Sequence, residues 1–182
     1  GSSSNFIEDY HYMELAIINV SNNDFDSYVV FDQPLLSSGR ILKHENFNFE
    51  IEIIEYMNNC EPKRRNNLAP IQFKGMMKNF MLDELPSLKE ENMNRPGIMF
   101  NLHNTGNNSD GIYGLFLGQT IPQKLNINNE DHIILFRKKR TYVPFEIELL
   151  DFKKVMHSGT GIAKSYSSDI NLIEDGIAKR FK

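Results

Sequence analysis

Residues 145–152 read Phe-Glu-Ile-Glu-Leu-Leu-Asp-Phe, and this stretch decides the fold. Its apolar and acidic residues alternate. Because successive side chains of a β-strand point to opposite faces, one set faces a core and the other faces water. The consecutive leucines Leu149 and Leu150 break the alternation. This break predicts either a β-bulge or a strand end at which both faces are covered.

A second stretch has the same pattern. Residues 49–56 read Phe-Glu-Ile-Glu-Ile-Ile-Glu-Tyr and align with the first stretch at an offset of 96 residues. One interpretation is an internal duplication, with two related β lobes at about residues 11–100 and 101–182. The other is that two amphipathic strands converged on good β-formers. Residues 1–4, Gly-Ser-Ser-Ser, resemble an expression remnant, which leaves 5–182 as the domain.

Short strand patterns recur along the rest of the chain, at 13–20, 28–31, 71–74, 98–102, 112–117, 132–136, 169–173 and 177–181. Turn-rich segments predict two hairpins, one joining 98–102 to 112–117 and one joining 169–173 to 177–181. Residues 58–70 predict an exposed loop, and residues 82–92 a short helix. We therefore predict an all-β fold, a β-sandwich or an open barrel, with at most one or two short helices.

Composition narrows the function. The net charge of −4 disfavours a nucleic-acid partner, which needs a concentrated basic surface. Cys60 is the single cysteine, so the chain has no internal disulfide and no Cys-x-x-Cys motif. No run of about 18 apolar residues occurs, so we expect no membrane span within these residues.

No catalytic or metal-binding motif is apparent. The five histidines are spread along the sequence without the spacing of metal ligands. His157 is the best exception, because it precedes a Ser-Gly-Thr-Gly loop in which glycines permit close approach of a bound group. Its imidazole could ligate iron or meet a thiol, or it could simply lie in a mobile turn. We predict no catalytic residues, no metal site and a binding or assembly surface rather than an enzyme.

The densest basic run is residues 137–140, Arg-Lys-Lys-Arg. One interpretation is a solvated strand edge, where charge blocks aggregation. The other is attraction to anionic lipid headgroups or haem propionates. With the neighbouring loop, this run supplies the candidate partner- or ligand-binding residues, which are Arg137, Arg140, Tyr142, His157, Gly159, Thr160 and Lys164.

The last third of the chain carries an ordered series of short motifs. They are the basic run at 137–140, Tyr-Val-Pro-Phe at 142–145, Leu-Asp-Phe at 150–152, Gly-Thr at 159–160, Lys-Ser-Tyr at 164–166 and Ser-Asp-Ile-Asn-Leu at 168–172. This series resembles the ResB family, the ResB/CcsB-type proteins of the cytochrome c synthesis pathway called System II. The family's Asn-x-Pro-Leu-Arg run does not occur in this sequence, which ends at Lys182.

The resemblance implies a soluble domain on the extracytoplasmic (periplasmic) face of the membrane, belonging to an integral membrane protein. Such a protein works with a CcsA-type membrane partner to bring reduced haem to the Cys-x-x-Cys-His motif of apocytochrome c. We expect this domain to hold apocytochrome c, with an exposed strand edge pairing with the extended chain. Haem is then handled by the parent complex, and this domain binds no cofactor of its own. The alternative is an extracytoplasmic carbohydrate- or lipid-binding β-sandwich.

Overall fold

The computed structural model describes residues 3–22, 26–106, 108–156, 163–174 and 177–181, with side chains described within 5–143 and at Arg180. The chain is mostly β, with 59% strand, which confirms the predicted all-β class. In the described ranges there is no α-helix, but three short 3₁₀ helices occur, at Gln33–Leu35, Gly75–Lys78 and Glu91–Met93. The strands are β1 (Ser3–Asn19), β2 (Ser27–Asp32), β3 (Ile41–His44), β4 (Phe47–Met57), β5 (Cys60–Arg64), β6 (Phe80–Glu84), β7 (Gly97–His103), β8 (Gly111–Phe116), β9 (Gln123–Ile127), β10 (Glu130–Met156), β11 (Ala163–Glu174) and β12 (Ile177–Phe181).

The chain divides into two units. The larger unit is Asp9–Lys139, and the smaller unit is Gly1–Glu8 together with Arg140–Lys182. β1 and β10 are long enough to contribute residues to both. In the smaller unit, β10, β11 and β12 follow one another as antiparallel neighbours, which confirms the predicted hairpin of residues 169–173 and 177–181.

The larger unit contains a four-stranded antiparallel sheet in the order β3-β4-β7-β8, which includes the predicted hairpin of β7 and β8. A second group of strands is ordered β2-β1-β10, with β9 also paired to β10. Buried residues from both groups form one hydrophobic cluster, to which β1 contributes Leu15, β4 Ile51, β7 Phe100 and β10 Ile134. A shared core of this kind is what two packed β layers produce.

The alternating pattern of β4 takes the predicted form. Phe47, Phe49, Ile51 and Ile53 are buried, whereas the residues between them are exposed or half-buried. The register of β4 against β7 shifts between Ile53 and Glu55, and that of β10 against β11 shifts between Leu149 and Asp151. Each shift falls where two apolar residues are consecutive and within a strand, which agrees with the β-bulge alternative and not with a strand end. The equivalent positions of the two bulges fit either a duplication or a convergence.

Three local predictions are wrong. The helix predicted at residues 82–92 does not form, because residues 80–84 are strand β6. The loop predicted at residues 58–70 contains strand β5, which pairs with β6. Only Cys60 and Leu82 of this pair are buried with the apolar residues, so the remainder stays polar and lacks a strand pattern. Residues 71–74 form no strand; Phe73 makes a single parallel bridge to Ile112.

Candidate functional site

The basic run of β10 is ion-paired in the larger unit. Arg137 donates from Nε to Glu14 Oε1 at 2.8 Å, and both side chains are almost excluded from solvent. Lys139 donates from Nζ to Asp32 Oδ2 at 2.7 Å in a more open setting. The hydrogen bond to Asp32 raises the pKa of Lys139 above its ordinary value, although partial burial opposes the rise. Carboxylates on the neighbouring strands therefore already neutralise these two cations.

Lys138 lies between these two residues and makes a different contact. Its ammonium is 4.2 Å from the centre of the Tyr10 ring, a cation–π distance. Arg137 and Lys139 therefore have carboxylate partners and Lys138 has an aromatic partner, as expected when successive side chains of a strand point to opposite faces. These three side chains are not freely solvated, because each has a carboxylate or an aromatic partner. In the described registers β9 joins β10 at residues 130–134 and β11 joins it at residues 146–156, so the interpretation of residues 137–139 as a strand edge stands.

Two candidate residues lie in the smaller unit. The Arg140 guanidinium is 4.1 Å from the centre of the Phe6 ring, and its Nε donates to Glu8 Oε1 at 2.9 Å. Tyr142 packs edge-on against the same ring at 5.8 Å between centroids and is 55% exposed. This arrangement leaves the tyrosine accessible and holds the arginine in place.

The four remaining candidates are His157, Gly159, Thr160 and Lys164. Lys164 lies on β11, where the backbone is described. His157, Gly159 and Thr160 lie outside the described residues. The predicted set is therefore neither assembled into one site nor dispersed by the described part of the structure.

A polar cleft of about 360 Å³ in the larger unit was not predicted. It is formed by β1, the 3₁₀ helices at Gln33–Leu35 and Glu91–Met93, the end of β4, and β10, so no contiguous motif marks it. The lining that matters chemically is Tyr10, His11, Gln33, Tyr56, Asn58 and Lys138. The basic run contributes to this polar cleft through Lys138 alone.

Hydrogen bonding, not nucleophilic chemistry, dominates the polar cleft. His11 Nδ1 lies 2.9 Å from Glu91 Oε2, and Gln33 Oε1 accepts the Met13 N–H at 2.8 Å, which orients the glutamine amide. Burial raises the pKa of Tyr56 to about 12, so its hydroxyl stays protonated at neutral pH and can donate a hydrogen bond. The polar cleft can therefore hold a polar ligand through a tyrosine hydroxyl, side-chain amides and two lysines, Lys89 and Lys138.

Outside the polar cleft, Cys60 is a free cysteine whose side chain is buried. Burial raises the pKa of Cys60 to about 11, with small opposing influences from Arg95 and Glu84. At neutral pH the thiol is therefore protonated and a poor nucleophile. Within the portion that the structure describes, no three His, Cys, Asp or Glu side chains group as metal ligands would.

Comparison with known proteins adds no assignment. No protein-family model matches the chain, and no curated protein matches it either. Across the described ranges, none of the helices has the length and apolar character needed to cross a bilayer.

Proposed function

We propose that this chain is a non-catalytic, extracytoplasmic binding domain of the ResB-like kind, which holds unfolded apocytochrome c while a CcsA-type membrane partner delivers haem. The observation that carries the proposal is the ordered series of motifs between residues 137 and 172. Six elements occur in the family's order, from the basic run through Tyr-Val-Pro-Phe to the Ser-Asp-Ile-Asn-Leu strand. The parent protein is then anchored in the membrane, and the haem belongs to the parent complex.

Strand β2 supports a role in binding an extended chain. It stands at the end of the strand order β10-β1-β2, so the edge facing away from β1 is available for pairing among the described strands. Its side chains alternate, with Val29 and Phe31 buried and Tyr28 and Val30 exposed. An added peptide strand would hydrogen-bond to this backbone and contact the exposed Tyr28 and Val30. We propose β2 as the receiving edge because its exposed side chains, Tyr28 and Val30, are uncharged, whereas the cations of β10 already have partners.

Peptide binding tests the proposal. Fluorescence anisotropy of a reduced, labelled Cys-x-x-Cys-His peptide should rise on addition of the purified chain. A matched Ala-x-x-Ala-His peptide separates recognition of the thiols from strand addition. A Val30→Pro variant of β2 should weaken binding, because proline at the edge disrupts backbone pairing. No binding of either peptide would refute the proposal.

Haem titration tests a separate point. We expect the isolated chain to give no Soret shift, because haem is handled by the parent complex. If a shift appears and is lost in His157→Ala, this histidine is a haem ligand in the domain. A shift that survives the substitution would exclude His157 and direct attention to other ligands.

The polar cleft favours a second candidate, a carbohydrate-binding module. A volume of about 360 Å³ lies at the small end of ligand pockets. Tyr10 offers a ring against which a sugar can pack, and Gln33 and Asn58 offer amide groups. Glycan affinity that falls in Gln33→Ala, with no affinity for the Cys-x-x-Cys-His peptide, would favour this function over the first.

A further inference from the structure

One segment of this acidic chain contains basic residues without any acidic residue between them. Residues 62–82, here called the basic loop, contain five basic residues and no acidic one. The whole chain has 20 basic and 24 acidic residues, so the rest of the chain has 15 basic and 24 acidic residues. The basic loop runs from within β5 to within β6, includes the connection between them, and lies entirely in the larger unit. It is therefore a local positive surface on a negatively charged protein.

The tip of the basic loop exposes two large aliphatic side chains. Leu68 is 99% exposed and Ile71 is 89% exposed. Single exposed apolar residues are ordinary on protein surfaces. Here the two lie three positions apart on one loop, and Phe80 and Met81 at the start of β6 are also partly exposed. The tip is therefore apolar and lies within a segment whose charged residues are all basic.

The loop is held in place without burying that tip. Arg65 donates from Nε to the carbonyls of Met77 and Phe80 at 2.9 and 3.1 Å, and its guanidinium lies 4.4 Å from the centre of the Phe73 ring. The Phe73 N–H donates to the Pro70 carbonyl at 3.0 Å. These contacts lie within the loop, and the Ile112 N–H on β8 joins the loop to the four-stranded sheet by donating to the Gln72 carbonyl at 2.7 Å. The tip is therefore presented to solvent at little additional ordering cost.

The surrounding cations are available for an anionic partner. Arg64 and Lys78 are exposed and Lys74 is half-buried. In the part of the chain that the structure describes, none of these three forms an ion pair, whereas Lys63 pairs with Asp83 at 3.1 Å. Arg64 lies opposite Phe80 in the β5–β6 register, so the two residues are cross-strand neighbours on one face of this pair.

We propose that the basic loop is a peripheral membrane-docking site for anionic phospholipid. Leu68 and Ile71 enter the boundary between headgroups and acyl chains, while Arg64, Lys74 and Lys78 contact lipid phosphates. A nucleic acid would use the cations but would give no apolar environment to two fully exposed aliphatic side chains. This inference does not depend on the proposed function, because any anionic bilayer surface satisfies it.

Vesicle co-sedimentation of the full chain tests the proposal. Binding should be strong to phosphatidylcholine vesicles that contain phosphatidylglycerol, weak to phosphatidylcholine alone, and reduced by high salt. Arg64→Glu and Lys78→Glu should each lower the partition constant about five-fold or more. Leu68→Ser combined with Ile71→Ser should lower it at least about ten-fold.

Matched controls lie outside the basic loop. Lys89→Glu makes the same change in net charge at another exposed site, and Ile121→Ser removes an aliphatic side chain that is 76% exposed. Both should bind as the unchanged chain does. Equal losses in these controls, or full binding by the Leu68/Ile71 variant, would overturn the proposal. Binding to DNA that is tighter than to anionic vesicles and insensitive to the Leu68/Ile71 changes would overturn it in favour of a polyanion site.

Discussion

Neutralising Glu14 should destabilise the larger unit far more than removing an exposed carboxylate. Glu14 and Arg137 join β1 to β10 through a 2.8 Å bond, with side chains only 3% and 11% exposed. Among the described residues, Nη2 of Arg137 is already buried without a hydrogen-bond partner. Glu14→Gln would therefore leave a buried guanidinium with no compensating charge.

The size of the effect follows from burial. Breaking a buried ion pair from one side costs about 3–5 kcal/mol, because the remaining charge is desolvated and unpaired. Removing both charges avoids that penalty, so Glu14→Leu with Arg137→Met should cost less than Glu14→Gln alone. Asp83→Asn is the matched control, because its pair with Lys63 is far more open to solvent, with side chains 64% (Lys63) and 30% (Asp83) exposed. Solvent-accessible pairs contribute at most about 1 kcal/mol.

Cys60 provides a reporter for this measurement. It is the only cysteine, is buried in the larger unit, and should react with a thiol reagent only when that unit opens. Pulse labelling across a urea series then gives the free energy of unfolding for each variant. The reasoning would be refuted if Glu14→Gln cost no more than Asp83→Asn, or if the costs of the single substitutions were additive in the double variant.

Three further outcomes follow from packing and ionisation. Gly97→Ala should cost about 1–3 kcal/mol in urea denaturation, since the added Cβ would clash with the Cys60 sulfur, and adding Cys60→Ala should recover much of the loss. Because burial raises the pKa of Cys60 from 9.0 to about 11, the unfolded chain loses this proton first. The free energy of unfolding should therefore fall as pH rises from 9 to 11, and it should fall less steeply in the Cys60→Ala variant. Burial alone would raise the pKa of Asp110, but hydrogen bonds, chiefly from Thr105, lower it below 3.8. Its stabilisation should be present above that pH and lost on acidification, so Asp110→Asn should lower Tm at neutral pH but not in strong acid.

Sequence pattern predicted the parts of the fold where one face of a strand is buried. β4 is an example, because its burial alternates with its sequence and its bulge falls at consecutive isoleucines. The pair β5–β6 could not be predicted in this way. Its two strands bury only Cys60 and Leu82, so their sequences do not show the alternation of apolar and polar residues that predicts a strand. Local propensity then favoured a loop and a helix.

The candidate site was predictable only in part. The basic run was found, but Glu14 and Arg137 are separated by 123 residues, so the pairing that neutralises the run depends on strand order. The polar cleft draws its lining from β1, β4, β10 and two 3₁₀ helices, none of which has a motif of its own. The apolar tip of the basic loop was visible as Leu68 and Ile71 in the sequence, but only the structure gives their exposure.

Hydrogen exchange in the presence of unfolded apocytochrome c tests the central claim most directly. On addition of the reduced apoprotein, we expect slower exchange in peptides that cover β2, because an added strand would bond to its outer amides. Haem-loaded, folded cytochrome c should give no such change, since it offers no extended segment. Unchanged exchange throughout the chain with the apoprotein, or equal protection by the folded protein, would contradict the claim that this domain holds an unfolded substrate.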